Sequence, residues 1–172
     1  CNARFIARGI DIQAKQLGDI FTRAQEHKGA SFVEIIQNCI VFNDDAFAHF
    51  TAKPVTKETQ IHVKHGEKLI YGADGNKGIR IKPGAFELEA VTIGEDGVTE
   101  DDILVHDETN RVLANLLVAM KPPEMPIALG VIYCDPAPSY ERAVQAQVEA
   151  SMANGAGDMD KLLRSGNTWT VS

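Results

Sequence analysis

The sequence predicts an α/β fold with a small β-rich region inserted between its two ends. Three observations carry this: helical and strand patterns alternate near the start, two-residue periodicity runs through the middle, and a strand followed by helices closes the chain. Residues 4–10, RFIARGI, read as a short strand. In 13–27, QAKQLGDIFTRAQEH, the residues Leu17, Ile20, Phe21 and Ala24 fall at helical spacing, and Lys28 with Gly29 ends the helix. The next stretch, ASFVEIIQ at 30–37, is apolar and β-branched, as suits a strand buried on both faces of a parallel sheet. Together these form a strand-helix-strand unit. Cys39 therefore lies just past the C-terminal end of a parallel strand, the position where α/β sheets place ligands.

From about Lys53 the periodicity changes. TQIHVKHG, KLIYG, GIRIKPG and FELEAVTIG are short alternating segments separated by glycine-bearing turns, which predicts a small antiparallel region. Its apolar positions, Ile61, Leu69, Ile79, Ile81, Phe86, Leu88 and Val91, are more than a small flap can bury by itself, so the region should pack on the α/β core. EDGVTEDD reads as a solvated loop that starts a helix. Residues 108–120 carry the stripe Val112, Leu113, Leu116, Leu117 and Met120, a core helix stopped by Pro122 and Pro123. IALGVIYC returns as a strand, Tyr140 to Met152 as a helix, and GDMDKLLRSGNTWTV as a short helix with an extended end.

Composition narrows the function. The chain has 172 residues, 44% hydrophobic, enough for a sizeable core. A net charge of -7 without any Lys/Arg-rich run argues against nucleic acid and anionic membrane as partners. No apolar stretch reaches the roughly 20 residues that span a bilayer. Cys1, Cys39 and Cys134 are an odd number, widely spaced, which points to a reducing, cytoplasmic setting and not to a disulfide framework. The chain opens on Cys1 and Asn2, inside what already reads as folded sequence, so it is expected to be a piece of a longer protein.

Most chemistry-bearing residues have a plain reading. His62 and His65, three apart on a strand, point to opposite faces and read as solvated side chains, not as a metal pair. DGNKG at 74–78 has neither the spacing nor the context of a phosphate loop and reads as a hairpin turn. Glu95, Asp96, Glu100, Asp101 and Asp102 do not follow a calcium-loop pattern. His27, His49 and His106 have no sequence partners that would form a catalytic set, and no serine elbow is present. Cys39 leaves two readings open. It is a small buried hydrophobe, or it is a ligand whose companions lie outside this sequence; QNCIVFNDD offers no cationic side chain to activate a catalytic thiolate.

EHKGASFVEIIQNCIVFND resembles the stretch with which the β subunits of thiamine-diphosphate-dependent 2-oxoacid:ferredoxin oxidoreductases leave their cofactor domain: a helix, HKG, an apolar strand, then a turn of the form Cys-x-x-Phe/Tyr-Asn. ARFIARG, PIALGVIYCDPAPSYE and LLRSGNTWTV are similar to the family's preceding strand, late strand and closing tail. The resemblance implies that 1–45 end the thiamine-diphosphate-binding domain and that 46–172 form the C-terminal domain. It implies a full-length subunit carrying thiamine diphosphate, Mg2+ and a [4Fe-4S] cluster, with Cys39 as an isolated cluster ligand, and neither catalytic residues nor bound cofactor in this chain alone. The implied reaction is oxidative decarboxylation of a 2-oxoacid with coenzyme A, leaning toward 2-oxoglutarate, with ferredoxin as acceptor and an α or fused α/γ subunit as partner. A non-catalytic subunit-interaction module and a cluster-free thiamine enzyme of related fold are the alternatives.

Overall fold

The structure is a computed structural model that describes residues 2–155, 157–167 and 169–171. It divides into two compact units, Cys1–Ala137 and Pro138–Ser172.

The first unit is built on a four-stranded sheet in the order β2-β1-β7-β3. Strand β1 (Phe5–Ile10), helix α1 (Ala14–Glu26) and strand β2 (Ser31–Ile36) form the expected strand-helix-strand unit, with β1 and β2 parallel in unbroken register from Phe5/Ser31 to Ile10/Ile36. Two short helices, α2 (Ala48–Thr51) and α3 (Thr56–Thr59), lead into β3 (Gln60–Val63). Strands β4 (Ile70–Tyr71), β5 (Lys77–Ile81) and β6 (Leu88–Thr92) make a separate antiparallel sheet. Helix α4 (Arg111–Ala119) then precedes the long strand β7 (Ile127–Cys134), which is parallel to β3 and antiparallel to β1.

Alternation along the strands sets the layers. Phe5, Ala7 and Val131 pack with Ile20 of α1, while Ile6, Ile132 and Tyr133 belong to the larger cluster that holds Leu113, Ala114 and Leu117 of α4. The same large cluster takes in Leu69 and Ile79, with Leu88 and Val91 against it, so the small sheet packs on the core as expected. Ile81 and Phe86 are exceptions, 48% and 84% exposed at the far end of that sheet. Two glycines mark close approaches. A Cβ on Gly78 would sit 2.4 Å from Cδ1 of Ile103, and one on Gly130 would sit 2.7 Å from the carbonyl oxygen of Val63 at a φ of +113°.

Three expectations need correction. Strand β2 is not buried on both faces: it is the sheet edge, with Phe32 58% and Ile35 43% exposed, because β1 is its one strand neighbour. TQIHVKHG does not join the antiparallel region. Its strand β3 pairs with β7 in the large sheet, since Ile61 and Val63 on one side fill the main core while His62 between them stays at the surface. Val112 leaves the stripe of α4, 57% exposed, because the buried side of the helix runs through Leu113, Ala114 and Leu117. The large sheet is also mixed, the β1/β7 pair being antiparallel.

The second unit holds α5 (Tyr140–Ala153) and α6 (Met159–Leu163). The side chain of Asp158 caps α6 by accepting from the Lys161 amide at 3.1 Å. No helix among the described residues is long and apolar enough to cross a membrane.

Candidate functional site around Cys39

Strand β2 ends at Ile36, and the chain turns at once. Asn38 organises the turn: its Oδ1 accepts from the Asp45 amide at 3.0 Å and its Nδ2 donates to Asp44 Oδ1 at 2.8 Å. Asp45 takes a left-handed backbone with φ +56°, a conformation its short polar side chain tolerates. Inside this frame the Asn43 amide donates to the Cys39 carbonyl at 3.0 Å, closing a five-residue turn over Ile40, Val41 and Phe42.

The turn acts on the sulfur. Backbone amides of Phe42, then Val41 and Asn43, donate toward Cys39 and lower its thiol below the usual range, because they stabilise the thiolate more than the thiol. Cys39 is exposed, which removes the reading of it as a buried hydrophobe. Ile40, Val41 and Phe42 beside it are 77%, 77% and 90% exposed, so the polarised sulfur stands within an apolar surface patch. The activating groups are main-chain N–H, which a search for neighbouring cationic side chains misses. The visible signal was the density of turn formers, Asn38 followed by Asn43, Asp44 and Asp45.

The other candidates are not gathered around Cys39. Cys134 ends β7, half-buried, and burial raises its thiol; Cys1 lies outside the described residues. His62 accepts at Nδ1 from Gln16 Nε2 at 2.7 Å and is held below its ordinary pKa by burial and by Lys64. His65, past the end of β3, accepts at Nδ1 from the Glu108 amide at 3.2 Å. The two histidines are surface side chains, as expected, but they do not point to opposite faces of one strand: His65 lies beyond β3, and both line one depression. His106 is fully buried, its Nε2–H donating to the Val131 carbonyl at 3.0 Å and its Nδ1 left without a partner among the described residues. The acidic loop is structural: Asp102 accepts from both the amide and the hydroxyl of Thr99, and Lys68 bonds the Glu100 carbonyl and pairs with Asp101. DGNKG lies in the hairpin between β4 and β5, with Gly75 at φ +64°. Among the described residues no group of three or more His, Cys, Asp or Glu is arranged to hold a metal ion. A multi-thiolate centre at Cys39 would therefore draw its other ligands from outside them.

No family model matches the sequence, and no solved structure matches it. The chain is 31% identical over 175 residues to the 2-oxoglutarate oxidoreductase subunit KorB of Mycobacterium tuberculosis (strain ATCC 25618 / H37Rv), an alignment covering 98% of this chain and 46% of that protein. The chain thus spans about half the length of this curated relative. It is a sequence relative, across nearly all of its own length, of a 2-oxoglutarate oxidoreductase subunit, in agreement with the resemblance carried by the residues around Cys39.

Proposed function

We propose that this chain forms part of the β subunit of an enzyme that oxidatively decarboxylates a 2-oxoacid, with coenzyme A as acyl acceptor and ferredoxin as electron acceptor. The relative named above is a 2-oxoglutarate oxidoreductase subunit, which supports 2-oxoglutarate as the substrate class. The observation that carries the reading at residue level is the Cys39 turn. Its amides favour the anionic sulfur, the form that ligates iron, and N–H bonds to cluster sulfurs are a recognised means of tuning cluster potential. In this reading Cys39 supplies one of four thiolates to a [4Fe-4S] cluster that passes electrons singly toward ferredoxin. Thiamine diphosphate and Mg2+ are held by other parts of the subunit, and the α or fused α/γ subunit completes the assembly.

The role of this chain's own residues follows from the geometry. Asn38 fixes the turn, the amides of 41–43 favour the anionic form of the sulfur, and Ile40, Val41 and Phe42 form an apolar wall beside it that a neighbouring segment would cover. The same patch favours the alternative of a purely interaction-forming module, and one measurement separates the two. In the full-length subunit, Cys39→Ala should diminish the cluster's optical and paramagnetic signals and slow ferredoxin reduction at least tenfold, while Cys134→Ala leaves both intact. An undiminished [4Fe-4S] signal in Cys39→Ala would remove the ligand assignment and leave the interaction reading.

A further inference from the structure

Two depressions adjoin between α1 and β3. The larger, about 760 Å³, is walled by Gln16, Asp19 and Arg23 of α1 and by His62 and Lys64 opposite. The smaller, about 460 Å³, continues past Gln13 to Lys53, Lys57 and Tyr71. They share Ile12, Gln13 and His62, so together they form one trough. Each part falls in the size range of small-molecule sites.

Charge is segregated in this trough. Acidic residues outnumber basic ones by 24 to 17 over the chain, yet the trough walls carry Lys15, Arg23, Lys53, Lys57 and Lys64 against the single carboxylate of Asp19. Arg23 is neutralised by a bidentate pair with Glu108, and Lys64 lies 3.3 Å from Glu67. Lys15, Lys53 and Lys57 have no carboxylate within ion-pair distance among the described residues. Concave walls of one sign focus potential and raise the local concentration of the opposite ion.

The rest of the lining sets further requirements. Because Gln16 Nε2 donates to His62 Nδ1, the neutral imidazole carries its proton on Nε2, a donor with no protein acceptor among the described residues. Gln16 Oε1 is shut off from solvent without a donor. Ile12, Ile70 and the half-buried ring of Tyr71 supply apolar surface in the smaller part. We propose that the trough binds an organic phosphate of nucleotide chemistry: two or more phosphate charges held among Lys15, Lys53, Lys57 and the His62 Nε2–H, and a flat or apolar group against Ile12, Ile70 and Tyr71. Apolar surface set beside the cations in one concavity, Ile12, Ile70 and the half-buried Tyr71, favours a small organic anion over a wholly polar acidic surface.

The test is calorimetric titration of the full-length protein with ADP and with inorganic pyrophosphate, which requires no catalytic turnover and so stands apart from the oxidoreductase reading. ADP should bind saturably and more tightly than pyrophosphate. Lys15→Glu and the pair Lys53→Glu with Lys57→Glu should each raise the ADP Kd at least tenfold, while Lys28→Glu and Lys121→Glu, outside the trough, leave it within twofold. All are exposed positions, and circular dichroism checks that each variant keeps its fold. Absence of saturable ADP binding overturns the proposal, as does an equal loss in the control lysines. Pyrophosphate binding as tightly as ADP overturns the role of Ile12, Ile70 and Tyr71. A trough whose charge reversals spare ADP binding but slow electron transfer to an acidic protein would be a protein-docking face, and the proposal falls.

Discussion

His106 shows how a residue unremarkable in sequence acquires a thermodynamic role through its surroundings. Burial, the largest influence, pushes its pKa below the ordinary histidine value; the Val131 carbonyl, Glu108 and Asp107 act the other way, and His65 adds to the lowering. The folded state therefore keeps the ring neutral to lower pH than the unfolded chain does. The unfolded chain binds the proton first, so the stability tied to neutral His106 is intact above about pH 6.5 and declines as pH falls below it, by up to about 1.4 kcal/mol per pH unit for one proton, until the folded form also titrates. In His106→Gln this decline should flatten. Urea unfolding at pH 7.5 and 5.5 measures it, and an unchanged difference between the two pH values would show that His106 is not the group responsible. None of this was legible in VHDET, because burial is conferred by Val131 and its neighbours far along the chain. For Cys39, the turn formers told where the chain bends but not that the main-chain amides of the turn would lower the thiol.

Element existence was largely legible, and element partnership was not. β1, α1, β2, the hairpin strands, α4, β7 and α5 fall where periodicity and breakers placed them. An apolar β-branched run, however, fits an edge strand as well as a central one, so the exposure of Phe32 and Ile35 was hidden. Likewise, alternation in TQIHV identified a strand without revealing that its neighbour is β7, more than sixty residues on. Helix α4 gives the sharper local test. Asn110 is its N-cap, with Oδ1 accepting from the Val112 amide at 3.0 Å and the Leu113 amide at 3.1 Å. Those two donors have no partner inside the helix, and Leu113 carries the chain into the main core. Asn110→Ala should lower unfolding free energy by roughly 1 kcal/mol, and Asn110→Asp should recover most of it. Equal stability of Asn110→Ala and the parent by denaturant titration would mean that core packing alone holds this end.

At the scale of the whole molecule, hydrophobic burial is distributed unevenly along the chain. Among the described residues, the three buried clusters and the two sheets all belong to the unit ending at Ala137. In the unit from Pro138 onward, Tyr140, Val144, Val148 and Met152 recur every four residues along α5, an amphipathic stripe, yet they are 83%, 40%, 46% and 71% exposed. Leu162, Leu163 and Trp169 are exposed as well. A 14-residue helix without a buried face is marginal in water, because the cost of nucleating it is offset mainly by tertiary packing. Residues 1–137 should therefore unfold cooperatively on their own, with a free energy within about 1 kcal/mol of the 172-residue chain. A peptide of residues 138–172 should show little helix by circular dichroism in water and gain it in trifluoroethanol. Loss of cooperative unfolding in the truncated chain would show that the late helices complete the core, and strong helicity of the isolated peptide would show that α5 is stable without covering its stripe. With both expectations met, the stripe on α5 becomes a surface whose stability comes from what it packs against in the assembled protein.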